Sequence, residues 1–396
     1  MNTVGIGVVG AGLVSDSHAA GYIKHKNADL IAVCDLNREV AEVKAKSWNA
    51  KKVYTDFDEM LKDPEIQAVD IMTPPVMHHD MAIRAAESGK HINCEKPFCI
   101  SVAEGKEITE AAKKANVVLA VDESYLFTTA HMKARELIAS GAIGEPIQIR
   151  HYKGDFVQRA DGLVDKRRLV GSRKEERMWR ADPVLSGGGA YPWIFDHAVH
   201  LFATTQYFMM DLEVGSIVAL PATYSGKSGS DAYTAKDYKD IPIIAWQFKN
   251  ARKQGFWVRA EKCMHNAFNN RIGFSSVVHG SEGMIEVLGE GGGGLFHDGR
   301  PAHLVLHTQG GKVETMRFNE GGDRIWDSGI SYYDQAHINE VTHFVDCILR
   351  GERPRYGGVE GTREIKLTLS AIKSAVEKTP VESDQVSDVY RAYGQG

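Results

Sequence analysis

Val8-Val9-Gly10-Ala11-Gly12-Leu13-Val14-Ser15 is the stretch whose reading decides the fold. An apolar run, Val4 to Val9, precedes it and reads as a short buried strand. Leu13 to Lys24 follows with a composition suited to a helix. A strand that passes through a glycine turn into a helix is a cradle for phosphate. Gly10 permits the tight turn, and Gly12 lets the backbone approach a pyrophosphate. The helix start at Leu13 and Val14 then offers N–H groups and a partial positive charge to the anion. Ser15 stands where the usual pattern has a third glycine, and it is small enough to keep helix and strand close. The next apolar strand, Leu30-Ile31-Ala32-Val33-Cys34, ends on Asp35. A carboxylate there can accept hydrogen bonds from both hydroxyls of a ribose. It would also repel a 2′-phosphate, and Leu36 supplies no charge to hold one, so NAD is expected rather than NADP.

Composition narrows the classes around this reading. A chain of 396 residues exceeds one ordinary core, which predicts two domains. The net charge of -5 argues against nucleic acid or an anionic membrane as the main partner. The five cysteines, Cys34, Cys94, Cys99, Cys263 and Cys347, are scattered and form no close zinc-type pair. They read as reduced thiols of a cytoplasmic protein. No secretory pattern opens the chain, and no apolar run approaches the roughly 18 residues that span a bilayer. A soluble small molecule is the expected partner.

From Met1 to Glu123 strands and helices alternate. Strands are predicted at Val4–Val9, Leu30–Cys34, Ala68–Met72, His91–Cys94 and Val117–Val121. Helices are predicted at Arg38–Trp48, Phe57–Lys62, Met77–Ser88 and Val102–Ala115. Continuous apolar strands alternating with helices make a parallel sheet covered on both faces, whose ligands bind at the carboxyl ends of the strands. Three such ends carry unusual residues: Asp35, Thr73-Pro74-Pro75 and Glu95-Lys96-Pro97. Lys96 would project into the crevice, and a cis bond to Pro97 would re-aim it. An ammonium beside a reacting alcohol stabilises an alkoxide or relays its proton. A surface lysine paired with Glu95 is the plainer alternative.

Residues 124–396 read differently. Strand-like segments at Ile147–Tyr152, Glu213–Leu220, Ile241–Phe248, Gly255–Ala260, Phe274–Gly280, Met284–Leu288 and His303–Thr308 alternate apolar with polar residues. They predict an α+β domain with a large, mostly antiparallel open sheet, one face of which is available for packing. The Gly289–Gly294 run follows a strand and opens no helix, so it reads as a hairpin. Gly187-Gly188-Gly189 and Pro192 precede an apolar helix that runs to about Phe208. Asp196 and His200 lie four apart on one face of it, with Trp193 one turn earlier. Histidine titrates near neutrality and suits removal of a hydroxyl proton. An ordinary helical Asp–His pair is the alternative. A metal site built from Asp196, His197 and His200 is disfavoured, because adjacent and i+3 positions diverge. The basic run Gln158–Arg180, with Arg167, Arg173 and Arg180, reads as a solvated loop or an intersubunit arm, or else as a grip on an acidic sugar. Substrate contacts are expected at Tyr125, Glu123, Trp179, Arg180, His197 and His337. Tyr332, Tyr333 and His343 are weaker candidates. Gly361–Glu377 carries Ile365, Leu369, Ile372 and Val376 at core-facing helical spacing.

Gly10-Ala11-Gly12, Asp35, Thr73-Pro74-Pro75 with His78, Gly89-Lys90-His91 and Glu95-Lys96-Pro97 fall in an order that resembles the Gfo/Idh/MocA family. The resemblance continues through Leu137–Pro146 and through His343-Phe344-Val345-Asp346 and Pro354. It implies a Rossmann domain, residues 1–123, followed by the open-sheet domain, with a homodimer or homotetramer formed through that sheet. It implies a nicotinamide cofactor held by Gly10, Gly12, Leu13, Val14, Asp35, Thr73, Pro74, His78, Glu95 and Lys96. It also makes Lys96, Asp196 and His200 the catalytic group. The reaction implied is hydride transfer between NAD and a secondary alcohol of a sugar, glycoside or polyol, giving a keto-sugar. Tightly bound NAD that recycles the hydride within one turnover, as in a redox glycosidase, is one alternative. A non-catalytic NAD- or sugar-sensing regulator is another, opposed by the joint presence of Lys96, Asp196 and His200.

Overall fold

A computed structural model describes residues 3–153, 179, 182–225, 237–250, 252–259, 275–288, 303–318 and 332–392. The amino-terminal part is built from β1 (Val4–Val9), α1 (Ser15–Lys24), β2 (Ala28–Cys34), α2 (Arg38–Trp48), β3 (Lys52–Tyr54) and α3 (Phe57–Leu61). It continues with β4 (Ala68–Ile71), α4 (His78–Glu87), β5 (His91–Cys94), α5 (Val102–Ala115) and β6 (Leu119–Val121). All pairings in this sheet are parallel, in the order β3-β2-β1-β4-β5-β6. The strand order reverses between β1 and β4, the place where sheets of this kind bind their ligands.

The second part contains α6 (Thr129–Ala139), β7 (Pro146–Lys153), α7 (Pro192–Phe208), β8 (Val214–Ser225), β9 (Asp237–Phe248) and β10 (Gln254–Arg259). It ends with β11 (Ser275–Gly280), β12 (Gly283–Leu288), β13 (His303–Thr308), β14 (Val313–Arg317), α8 (Tyr332–Arg350), α9 (Gly358–Glu377) and β15 (Val381–Glu382). Its sheet runs β14-β13-β12-β11-β7-β10-β9-β8-β15. The β7–β10 pair is parallel and the other described pairs are antiparallel. Ile217, Ile244, Trp246, Trp257 and Val278 are buried on one face, in the same core as Phe195 and Phe202 of α7. On the other face Val218, Leu220, Ile243 and Val258 are exposed, and Ile243 is in register with both Leu220 and Val258.

The two parts share their cores. Val341, Phe344 and Val345 of α8 pack with Val4, Ile6 and Val8 of β1. Gly21 of α1 permits this approach: a Cβ there would stand 2.1 Å from Val341 Cγ2. Residues late in the chain therefore complete the apolar cover of the parallel sheet. Several elements go beyond the sequence expectation: β3, α6, β14 and β15. Exposure leaves β14 without an alternating apolar signal, since most of its residues face solvent. Of the Gln158–Arg180 run, Trp179 alone is described; Arg180 and the Gly289–Gly294 run lie outside the described residues. No described helix is long and apolar enough to cross a membrane.

Candidate active site

The glycine turn has the geometry of a phosphate cradle. Gly10 has φ +91°, and a Cβ on it would lie 2.7 Å from the Met72 carbonyl oxygen, so a larger residue does not fit without displacing the neighbouring strand end. At Gly12 a Cβ would meet nothing within 4 Å, so the turn is open on the side where an anion would approach. No side chain caps the start of α1 at Val14, and the ten-residue helix presents its first N–H groups toward the turn. Ser15 donates through Oγ to the Gly12 carbonyl at 2.6 Å and fixes the loop. Asp35 closes the far side. Its Oδ2 accepts from the Ala11 N–H and its Oδ1 from the Asn37 N–H, both at 2.8 Å. Leu13 and Leu36 are exposed beside it. A dinucleotide fits this arrangement: an uncapped helix start, open space above Gly12, and a carboxylate at the end of β2.

The adjoining strand ends are tied together. Fully buried His78 places its two ring nitrogens 2.7 Å from the Thr73 carbonyl and 3.0 Å from the Pro97 carbonyl. Burial lowers its pKa, against the pull of Thr73 and Glu95. His78 thus braces the Thr73-Pro74 loop against the Lys96–Pro97 loop. The Lys96–Pro97 bond is cis.

Lys96 reaches across to α7. Its Nζ donates to Asp196 Oδ1 at 2.9 Å and to the Asp196 carbonyl at 3.2 Å. Asp196 is 2% exposed and the lysine side chain 15%. His200, one turn along α7, does not take Asp196 as its partner. Its Nδ1 lies 2.6 Å from Glu123 Oε1, and its ring stacks on Tyr125 with centroids 4.2 Å apart and planes within 5°. His197 bonds through Nδ1 to the Trp193 carbonyl at 3.1 Å, and its ring lies 3.9 Å from that of Trp193, tilted by 32°. Lys96 thus pairs with Asp196 and Glu123 with His200, while Asp196 Oδ2 also lies 3.3 Å from His197 Nδ1.

Beneath them lies a buried polar cluster that the sequence reading did not anticipate. His18 Nδ1 is 2.9 Å from Asp70 and 3.8 Å from Asp122, and its Nε2 is 3.6 Å from Glu95. Asn93 donates to Asp70 and Asp122. Burial opposes a charge on His18, but Asp70 and Asp122 outweigh it and hold its pKa well above the ordinary value. Burial likewise pushes Glu95 up, and His18 and Lys96 overcome it, leaving the Glu95 carboxyl below its usual range. His337, expected at the substrate cleft, is 2% exposed, its ring 5.0 Å from that of His18 and its Nδ1 3.5 Å from Glu340. The visible signal was a polar residue inside each of two apolar strands, Asp70 in β4 and Asn93 in β5, which face each other in register. Two triads in this cluster, His18–His337–Glu340 and His18–Asp70–Asp122, bring ligand-type atoms within 4.8 Å of one another; Asp196, His197 and His200 belong to neither. Half-buried Trp179 is described without its immediate neighbours. His343 Nε2 accepts from the Arg355 N–H.

Residues 4–123 match the family described as "Oxidoreductase family, NAD-binding Rossmann fold", and residues 135–383 match its "C-terminal alpha/beta domain". Levoglucosan dehydrogenase of Pseudarthrobacter phenanthrenivorans is 28% identical over 419 residues, covering 98% of this chain and 100% of that protein. Myo-inositol 2-dehydrogenase of Thermotoga maritima is 25% identical, covering 96% and 99%. A solved structure of levoglucosan dehydrogenase in complex with NADH and levoglucosan shares the fold at TM-score 0.75 and 23% identity, covering 97% of this chain and 100% of that one.

Proposed function

The chain belongs to the Gfo/Idh/MocA oxidoreductase family, and from that membership we propose that it is an NAD-dependent dehydrogenase oxidising a secondary alcohol of a sugar, glycoside or polyol to a ketone. One observation carries the site assignment. Lys96, at the end of β5 in the sheet that bears the glycine turn, meets Asp196 of α7 at 2.9 Å, with His200 one turn away. In this reading His200 removes the hydroxyl proton, Lys96 stabilises the alkoxide, and Asp196 aims Lys96 and the substrate. Bound NAD would supply the hydride acceptor, held by Gly10, Gly12, Leu13, Val14 and Asp35, with Thr73, Pro74, His78 and Glu95 shaping the neighbouring wall. Tyr125, His197 and the Trp179–Arg180 segment remain the proposed substrate contacts. Residues 1–123 are assigned to the cofactor and 124–396 to substrate binding and assembly. The exposed row of Val218, Leu220, Ile243 and Val258 supports a homodimer or homotetramer through the open sheet. Cytoplasmic function remains the expectation.

Relatives named for levoglucosan, myo-inositol and 1,5-anhydro-D-fructose put sugars and polyols first among candidate substrates. A panel of hexoses, inositols, anhydrosugars and glycosides, followed by NADH absorbance, tests the reading. Wild type should release NADH in proportion to ketone. Lys96→Ala and His200→Ala should abolish turnover while NAD affinity stays within a few-fold. Unchanged turnover in either variant overturns the assignment.

A further inference from the structure

We propose that Glu123 is the positioning residue of His200: its buried carboxylate holds the imidazole Nδ1–H, so that the ring meets the substrate hydroxyl with Nε2. The inference rests on the reading of His200 as the base. Asp196 shares a helix face with His200 but is engaged with Lys96, and among the described residues Glu123 lies within hydrogen-bond distance of the ring, 2.6 Å away. Glu123 is fully buried.

Two restraints of different direction fix the imidazole. The Glu123 contact acts at Nδ1, toward the ring edge, and Tyr125, stacked at 4.2 Å, acts on the ring face. Glu123 and Tyr125 are two residues apart, just beyond β6, so one short segment sets both. That segment is itself anchored, since the Glu123 main-chain N–H donates to Glu340 Oε1 on α8. An acceptor at Nδ1 selects the tautomer whose Nε2 carries the lone pair. When Nε2 takes the proton, the substrate O–H bond breaks and its electron pair stays on the oxygen as an alkoxide, which Lys96 stabilises. The new imidazolium lies against the Glu123 carboxylate, which favours its charge.

Among the described residues, the charged surroundings of Glu123 come from four elements. Lys96 and Glu95 lie at the end of β5, His200 on α7, Glu340 on α8 and Glu364 on α9. Burial pushes the Glu123 carboxyl well above the ordinary range; Lys96 pulls it back, and Glu364 and Glu95 push it further up.

Glu123→Gln is the decisive variant, because the amide oxygen still accepts from Nδ1–H while the charge is gone. With a substrate identified from the panel, kcat should fall on the order of 10²-fold, the low end of what acid–base catalysis supplies. KM should stay within a few-fold. The acid limb of the pH profile should move to lower pH, since the carboxylate that favours a charged ring has been removed. Glu123→Asp should recover part of kcat. Nitrogen NMR of the histidine rings gives a readout independent of turnover. His200 should carry its proton on Nδ1 in wild type and Glu123→Gln, and lose that preference in Glu123→Ala. Wild-type kcat and pH profile in Glu123→Gln, or an Nε2-protonated His200 in neutral wild type, would overturn the inference. A wild type silent on every sugar and polyol would overturn the parent reading, and the tautomer would still decide the role of Glu123.

Discussion

Replacing Lys96 by methionine should cost both stability and turnover, and a second substitution should recover only the stability. Lys96 Nζ and Asp196 Oδ1 are 2.9 Å apart. At an effective dielectric of about 20, unit charges at that separation attract by roughly 6 kcal/mol. Breaking a buried pair by removing one partner costs about 3–5 kcal/mol, because the other charge is left without compensation. Lys96→Met takes the ammonium from an acid that is 2% exposed and whose Oδ2 keeps His197 Nδ1 at 3.3 Å, so it should lose about 3 kcal/mol, the low end of that range. Asp196→Asn strands a lysine that is 15% exposed and keeps the Asp196 main-chain carbonyl at 3.2 Å, so it should lose only about 1–2 kcal/mol. The double variant removes both members of the pair and should return to within about 2 kcal/mol of wild type. Denaturant unfolding of the four proteins closes the cycle. Turnover should be lost in all three variants, by about 10²-fold or more. A Lys96→Met protein as stable as wild type, or a double variant whose loss equals the sum of the singles, would refute the buried-pair argument. Activity returning with stability in the double variant would remove Lys96 from the chemistry.

Gly10→Ala should weaken NAD binding about tenfold or more by calorimetry, since φ +91° and the 2.7 Å approach to Met72 O strain any side chain there; an unchanged Kd would remove the turn from the cofactor site. Gly21→Ala should lose about 1–3 kcal/mol by overpacking against Val341, and Val341→Ala should relieve it; additive losses would contradict the α1–α8 contact. Burial raises the Glu364 carboxyl from 4.5 to about 8, outweighing Arg363 beside it. The folded state then binds the extra proton, so this group removes stability as pH rises from about 4.5 to about 8. Glu364→Gln should gain on wild type across that window in denaturation midpoints, whereas parallel pH curves would show that the carboxyl is not held neutral.

The parallel sheet was the legible part. Buried parallel strands are continuous apolar runs, and β1, β5, α2 and α5 fall at Val4–Val9, His91–Cys94, Arg38–Trp48 and Val102–Ala115, as the sequence predicts. The docking of α8 on α1 was not legible, because it depends on a space at Gly21 that a tertiary approach creates. The site divides the same way. Lys96, Asp196 and His200 could be placed on a strand end and a helix face, but i,i+4 spacing reports a shared face and not a partner. Glu123 wins His200 because β6 delivers its carboxylate to Nδ1, and Lys96 wins Asp196 because it reaches α7 from the end of β5. Asp70, Asn93 and Asp122 were readable as polar intrusions in or beside apolar strands, yet the histidine that gathers the two acids comes from α1.

Where the substrate's carbinol hydrogen goes is the most direct measure of the chemistry. A sugar or polyol from the panel, deuterated at the carbinol carbon, should yield NADH carrying that deuterium in step with ketone, at a rate several-fold slower than the unlabelled compound. Ketone formed beside unlabelled NADH, or label washed into solvent, would contradict direct transfer from a carbon gripped by Lys96, Asp196 and His200.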